Sequence, residues 1–405
     1  MGKTPMDESQ AMAHAHSDID PFSLGFFDDP YPHHAAIRDA APVVWLERYG
    51  IWGMARHAEV HAALNDWQTF SSASGAGLDD FTKTKPWRPP SIILEADPPL
   101  HTRARTAMAR VMSPGVMKAI RPQFIAKAED VVAALVARGT FDAIPDLAES
   151  YPLAVFPDAV GLVKEGRENL LLYGNLAFNA FGPRNGLLQA AFEKAAPVAK
   201  WIVEQCSRKA LTKDGWGAGI YASADTGEIS EEEAGMLVRS MLTAGVDTTV
   251  NGLGSAIYAF ASNPDQWAKV LADPALLRPC FDEVLRWESP VQTFFRTTTA
   301  PSALGGAPIK EGQKVLLFLA AANRDPRRWE NPDRFDVTRK ATGHVAFGSG
   351  IHGCVGQALA RLEAECVLGA LAKRVKRIEL VGEPKRKYNN TLRSFGSLPV
   401  RVTAH

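Results

Sequence analysis

Phe347-Gly348-Ser349-Gly350-Ile351-His352-Gly353-Cys354-Val355-Gly356 is the stretch on which the reading of this chain turns. Its glycines let the backbone take tight or left-handed turns and leave N–H groups free to converge on one place. Among them stands a cysteine. The residues that follow, Ala358 to Leu371, carry a helical pattern, so Cys354 precedes a helix N-terminus whose dipole favours a thiolate. Such a thiolate serves as a nucleophile or as a metal ligand. The first role needs a base, and His352 is the only candidate close in sequence. The other cysteines, Cys206, Cys280 and Cys366, form no C-x-x-C pair, which argues against a zinc site or a disulfide framework and suits small core residues.

Working outward, the 405 residues include 45 basic and 45 acidic side chains. No overall field draws such a chain to nucleic acid or to an anionic membrane. Apolar runs such as Val315 to Ala322 fall far short of the roughly 20 residues that cross a bilayer, and Met1 to Asp20 lacks a signal-peptide core, so a cytoplasmic protein is expected. Residues 1–20 show no periodicity and read as a mobile tail; order is expected from Pro21, in a single domain over 21–405. Helical patterns dominate, with β-like stretches at Val43 to Met54, Phe294 to Thr299, Lys314 to Leu319 and Leu398 to Val402. The clearest helix opens on Ser230-Glu231-Glu232-Glu233, a capping-box pattern, and is expected to run to about Ala261. Inside it, Ala244-Gly245-Val246-Asp247-Thr248-Thr249 weakens helix geometry, and a distorted turn in a central helix points to a site.

The pattern F-G-x-G-x-H-x-C-x-G, complete from Phe347 to Gly356, resembles the haem-binding loop of the cytochrome P450 monooxygenases. That resemblance implies a mainly α fold, a triangular prism of helices with small β-sheets around a buried haem b, and Cys354 as the axial ligand with Phe347 and Gly348 beside it. A thiolate below haem iron favours O–O cleavage. Glu283-Val284-Leu285-Arg286 is similar to the family's E-x-x-R pair, and Asn331-Pro332-Asp333-Arg334-Phe335 resembles the segment whose arginine, here Arg334, joins that pair in a structural network. Four residues match the family's partners of the haem carboxylates: His101 and Arg105, Arg296, and His352. Ala244-Gly245-Val246-Asp247-Thr248 resembles the oxygen-binding groove, with Ala244 and Gly245 close to the haem face. Oxygen activation needs protons delivered to one oxygen only, so Thr248 is read as the positioned hydroxyl and Asp247 as the relay acid. The plainer alternatives are an internal bond from Thr248 to the Ala244 carbonyl, and a surface salt bridge for Asp247.

For the substrate, Ser240, Ala244 and Thr248 share the helix face that looks at the haem, Thr243 lies near that face, Arg239 adjoins Ser240, and the loop Phe81 to Ile93 contributes Arg88 and Ser91. Hydroxyls and guanidiniums at the two walls of a small apolar pocket would anchor a carboxylate far from the iron. Phe178, Phe181, Val291, Phe294 and Leu392 are expected to complete the lining. The set is similar to bacterial family members that O-demethylate 4-methoxybenzoate. The alternative for Arg88 and Arg239 is an ordinary surface position. The resemblance further implies O₂ as co-substrate and electrons from a [2Fe–2S] ferredoxin with an NADH-dependent reductase, acting on a monomer. Arg103, Arg110, Lys118 and Arg361 are candidates for the docking patch. Terpenoid or macrolide hydroxylation, a peroxygenase, and a non-catalytic haem-thiolate sensor are the rival readings.

Overall fold

The computed structural model describes residues 14–405. The central helical segment shows how local chemistry sets the architecture. Ser230 Oγ accepts from the Glu233 amide at 3.0 Å, and the Glu233 carboxylate accepts from the Ser230 amide at 2.7 Å, so the expected capping box is formed. From there, the single helix expected to about Ala261 is instead two, Glu231–Ala244 and Asp247–Ser262. The break has a steric origin. A Cβ at Gly245 would lie 2.1 Å from the Phe156 ring and 2.8 Å from the Met241 carbonyl, so the backbone is pressed against a neighbouring helix where only glycine fits. The second half is buried on nearly every side and forms the axis of the helical core.

Around it pack the helices Pro114–Arg138, Ser150–Val160, Leu277–Glu288 and Gln357–Arg374, the last of these following Cys354. A six-stranded sheet stands to one side in the order Ala15–Ser17, Val43–Leu46, Ile51–Met54, Lys314–Phe318, Thr293–Thr298, Phe70–Ser71. The expected β-stretch at Val43 to Met54 is an antiparallel hairpin with Trp45 opposite Trp52. The tail reading needs correction: Ala15–Ser17 pairs in parallel with Val44 to Leu46, and Tyr49 donates to Asp20 at 2.8 Å. A three-residue edge strand leaves no periodic signal, because the open hairpin edge supplies its hydrogen bonds. Residues 1–13 of that reading lie outside the described residues. Further short strands at Val375–Leu380, Lys385–Lys387 and Ser394–Ser397 were likewise not expected.

Glu283 and Arg286 are wholly buried and doubly bonded, at 2.7 and 2.9 Å. Arg286 also donates to the carbonyls of Asn323 and Pro332, at 2.9 and 2.8 Å. The third side chain is Arg339, whose Nε reaches Glu283 at 3.2 Å; the expected Arg334 is exposed and contributes only its carbonyl. On either side of the aromatic anchor Phe335, the chain turns Arg334, just before it, outward and Arg339, four residues after it, inward. Asn323 accepts from the Val345 amide at 2.7 Å, so the network is tied to the chain just before the cysteine loop.

Candidate active site

Gly348 and Gly350 both adopt positive φ, +69° and +66°, and a Cβ on Gly350 would lie 2.4 Å from the Leu64 carbonyl. The loop thereby folds so that the Cys354 amide donates to Phe347 O at 2.7 Å and the sulfur opens onto an internal cavity of about 270 Å³. Burial pushes the thiol pKa up; the amides of Gly356 and Gln357 and the guanidiniums of Arg105 and Arg361 oppose it. These are the groups that would hold a thiolate if a metal drew off the proton. Phe347 also lines the cavity, covered from outside by the Arg361 guanidinium at 4.6 Å.

Across the cavity lie Ala244, Gly245, Thr248 and Thr249 at the helix break. Thr248 faces the cavity while its Oγ1 donates to the Ala244 carbonyl at 2.9 Å, so both readings of that hydroxyl are present at once. Asp247 does not face the cavity. Successive helical residues are about 100° apart, and its carboxylate turns instead to the Asn169–Asn179 helix, where a Cβ on Gly174 would lie 2.4 Å from Oδ2. Burial raises its pKa to about 7, with Lys387 lowering it and Glu149 raising it. The surface-acid alternative is excluded, since Asp247 is buried.

Arg105, Arg296 and His352 line the cavity at its edge, and His101 packs edge-on to His352 with ring centroids 4.6 Å apart. Nε2 of each histidine is buried with no hydrogen-bond partner. Arg296 donates only to the neighbouring Phe295 carbonyl, and burial draws its pKa down to about 10; His101 is drawn to about 4 by burial and by the charges of His352 and Arg105. Asp97 stands 3.8 Å from His352 and is the acid nearest the group. Arginine and histidine donors with few or no acceptors, at the rim of a cavity with a thiol on its floor, fit a flat apolar ring that carries two carboxylates.

At the far wall, Arg88, Ser91, Arg239, Ser240 and Thr243 come together as expected. Ser91 and Ser240 share a hydroxyl hydrogen bond of 2.9 Å. Arg88 is partly buried, its side chain 10% exposed; it pairs with Glu95 at 2.9 Å, an acid the sequence reading missed although it lies seven residues on in the same loop. Arg239 donates to the Pro89 carbonyl at 2.8 Å and has no carboxylate partner among the described residues. Phe178, Phe181, Val291 and Phe294 form the apolar lining. Leu392 does not line it: paired with Val291 across an isolated bridge, it packs behind Phe178 and Phe181.

On the cysteine side, the four candidate docking cations are mostly neutralised. Arg103 pairs with Glu233 at 3.1 Å, Arg110 with Glu228 at 2.8 Å and Arg361 with Asp282 at 2.9 Å, leaving Lys118 exposed and unpaired among the described residues. No helix of the described residues is long and apolar enough to cross a membrane.

Comparison with known proteins agrees with this geometry. Residues 162–401 match the family described as Cytochrome P450. The chain is 58% identical over 389 residues to "Cytochrome p450 CYP199A2" of Rhodopseudomonas palustris, covering 96% of this chain and 94% of that one. It is 35% identical over 318 residues to "Cytochrome P450 107B1" of Saccharopolyspora erythraea, covering 77% of each. Among solved structures, P450BioI in complex with an acyl carrier protein bearing hexadec-9Z-enoic acid superposes with a TM-score of 0.84 at 25% identity, over 94% of this chain and 100% of that one. With a cysteine loop, a helix break and a cationic rim enclosing one cavity, this chain belongs to the cytochrome P450 family of haem b monooxygenases.

Proposed function

We propose that this protein oxidises a small para-substituted aromatic carboxylic acid, with O-demethylation of 4-methoxybenzoate as the reference reaction, inside the cytoplasm and as a monomer. The observation that carries this is the charge at the far wall. Arg88 is matched by Glu95, whereas Arg239 has no paired acid among the described residues, so this partly buried wall of the cavity carries a positive charge without an ion-pair partner. A substrate carboxylate would supply the missing anion, held by Arg239 and by the Ser91–Ser240 hydroxyl pair. A neutral terpenoid would leave that charge unmatched.

Cys354 would supply the thiolate that holds the haem iron, and Arg105, Arg296, His101 and His352 would hold the haem carboxylates. Bound there, the haem supplies O₂ activation with two electrons. The remaining work falls to the chain. Phe178, Phe181, Val291 and Phe294 hold the aromatic ring and exclude water, so that a para substituent faces the helix break. Gly245 leaves the space; Thr248 presents a hydroxyl there, and its bond to the Ala244 carbonyl fixes its orientation. Asp247, with a pKa raised to about 7, holds or releases a proton near neutral pH and moves it from the Lys387 and Glu149 side toward the break. Electrons are assigned to a [2Fe–2S] ferredoxin fed by an NADH-dependent reductase, meeting the Lys118 side of the molecule.

The test is a titration of the holoenzyme with 4-methoxybenzoate, its methyl ester and a camphor-like terpenoid, followed by the shift of the haem absorption band. The acid is expected to give the shift and the ester to lose it. An ester or terpenoid that binds as well as the acid would overturn the reading.

A further inference from the structure

Lys314 opens the strand Lys314–Phe318, and its side chain is buried. No carboxylate pairs with it among the described residues. Its ammonium donates instead to three backbone carbonyls, Ser74 at 3.1 Å, Gly75 at 2.9 Å and Gly77 at 3.0 Å. The carbonyl between them, that of Ala76, accepts from the Phe295 amide at 3.0 Å. Four successive carbonyls of one loop are thus held by two adjacent strands. A buried ammonium loses hydration, which here draws its pKa down to about 8, and it is retained in a cradle of three carbonyls, of which only that of Ser74 has a second donor, the Phe81 amide at 3.1 Å.

The loop continues into the cavity wall. Leu78 N donates to the Phe181 carbonyl at 2.8 Å, and Gly77 passes so close that a Cβ there would lie 2.7 Å from Phe181 Cα. Phe181 and Phe294, which both line the cavity, meet edge to face with centroids 5.4 Å apart. The 74–77 loop therefore bridges the two supports of this aromatic pair: the end of the Asn169–Asn179 helix on one side and the Thr293–Thr298 strand on the other.

We propose that Lys314 is a positioning residue for the substrate cavity: by closing the 74–77 loop it sets the spacing of Phe181 and Phe294, and with it the ring that the cavity accepts. This holds whichever aromatic acid is the substrate, so the probes are class-neutral. In the Lys314→Met holoenzyme, binding of imidazole and of 4-phenylimidazole is followed by the haem absorption band. Imidazole reaches the iron without needing the wall; the phenyl ring of the larger ligand must sit against it. The expected result is 4-phenylimidazole binding weakened on the order of tenfold to a hundredfold, with imidazole binding and the reduced carbonyl spectrum unchanged. Equal affinities to wild type, or an equal loss for both ligands, would overturn it. Gly77→Ala displaces the loop while keeping the lysine, and the same selective loss is expected; its absence overturns the proposal. Failure of both variants to take up haem overturns it as well, since the loop would then be a folding requirement and not a setter of the wall.

Discussion

Arg239, partly buried, and Glu363, fully buried, are the residues at which an unpaired ionisable group has the most direct consequences. Replacing Arg239 by Leu removes the unmatched guanidinium while keeping an apolar stem, and a charge-assisted hydrogen bond of this kind is worth about 1.5–3 kcal/mol. The acid should then bind on the order of ten- to a hundredfold more weakly in the spectral titration, while a neutral analogue such as 4-methoxytoluene binds no worse. For Asp247→Asn, the relay role predicts product formation slowed on the order of a hundredfold, with 4-methoxybenzoate affinity retained. Glu363 has no assigned part in the chemistry. It is fully buried in the helix after Cys354, its oxygens lack partners, and burial raises its pKa to about 8 from 4.5. The folded protein therefore binds a proton there that the unfolded chain has released, and stability falls as pH rises from about 4.5 to about 8. Glu363→Gln should melt with wild type below that window and increasingly above it as pH rises through it, as read by thermal unfolding. Sequence reading reached Arg239 because it adjoins Ser240, which shares a helical face with Ala244 and Thr248. It missed Glu95 and chose Arg334 over Arg339, because which side chain turns inward is decided by loop path, for which neither spacing nor composition carries a signal.

At the scale of elements, the break between Glu231–Ala244 and Asp247–Ser262 is what brings Thr248 to the cavity and sends Asp247 to the opposite face. Phe156 is pressed against Gly245 at the break, where only glycine fits. Gly245→Ala must displace that ring, at a cost of about 1–3 kcal/mol for overpacking; the expected outcome is a lower unfolding midpoint together with increased release of hydrogen peroxide per NADH consumed. The glycine and the threonines made the distortion legible in the sequence. The two-helix outcome was not, because the ring that packs against it comes from a segment roughly ninety positions away, read here from Phe156 and Gly245. The edge strand Ala15–Ser17 escaped for a similar reason: it is held by a partner's hydrogen bonds and not by a pattern of its own.

For the whole molecule, one buried network joins the Leu277–Glu288 helix to the chain leading into the cysteine loop, from Glu283 and Arg286 through Asn323 to Val345. Removing one partner of such a pair strands the other, typically at about 3–5 kcal/mol, a large share of the roughly 5–15 kcal/mol that stabilises an ordinary domain. Arg286→Ala is expected to yield protein that fails to retain haem, measured as the ratio of haem to polypeptide after purification. The fold class was legible because the cysteine loop is a complete and specific pattern, and the E-x-x-R pair, which carries no signal alone, and the weakened central helix accompany it along one chain. The balance of charge on the cysteine side was not, since pairing of Arg103, Arg110 and Arg361 depends on acids from distant segments.

The decisive measurement is product analysis of the holoenzyme with 4-methoxybenzoate, NADH and a reconstituted ferredoxin and reductase. Formaldehyde and 4-hydroxybenzoate in equal amounts, formed only when the electron carriers are present, is the predicted result. No product with electrons but product with hydrogen peroxide, or turnover of neutral terpenoids in preference to the acid, would contradict it.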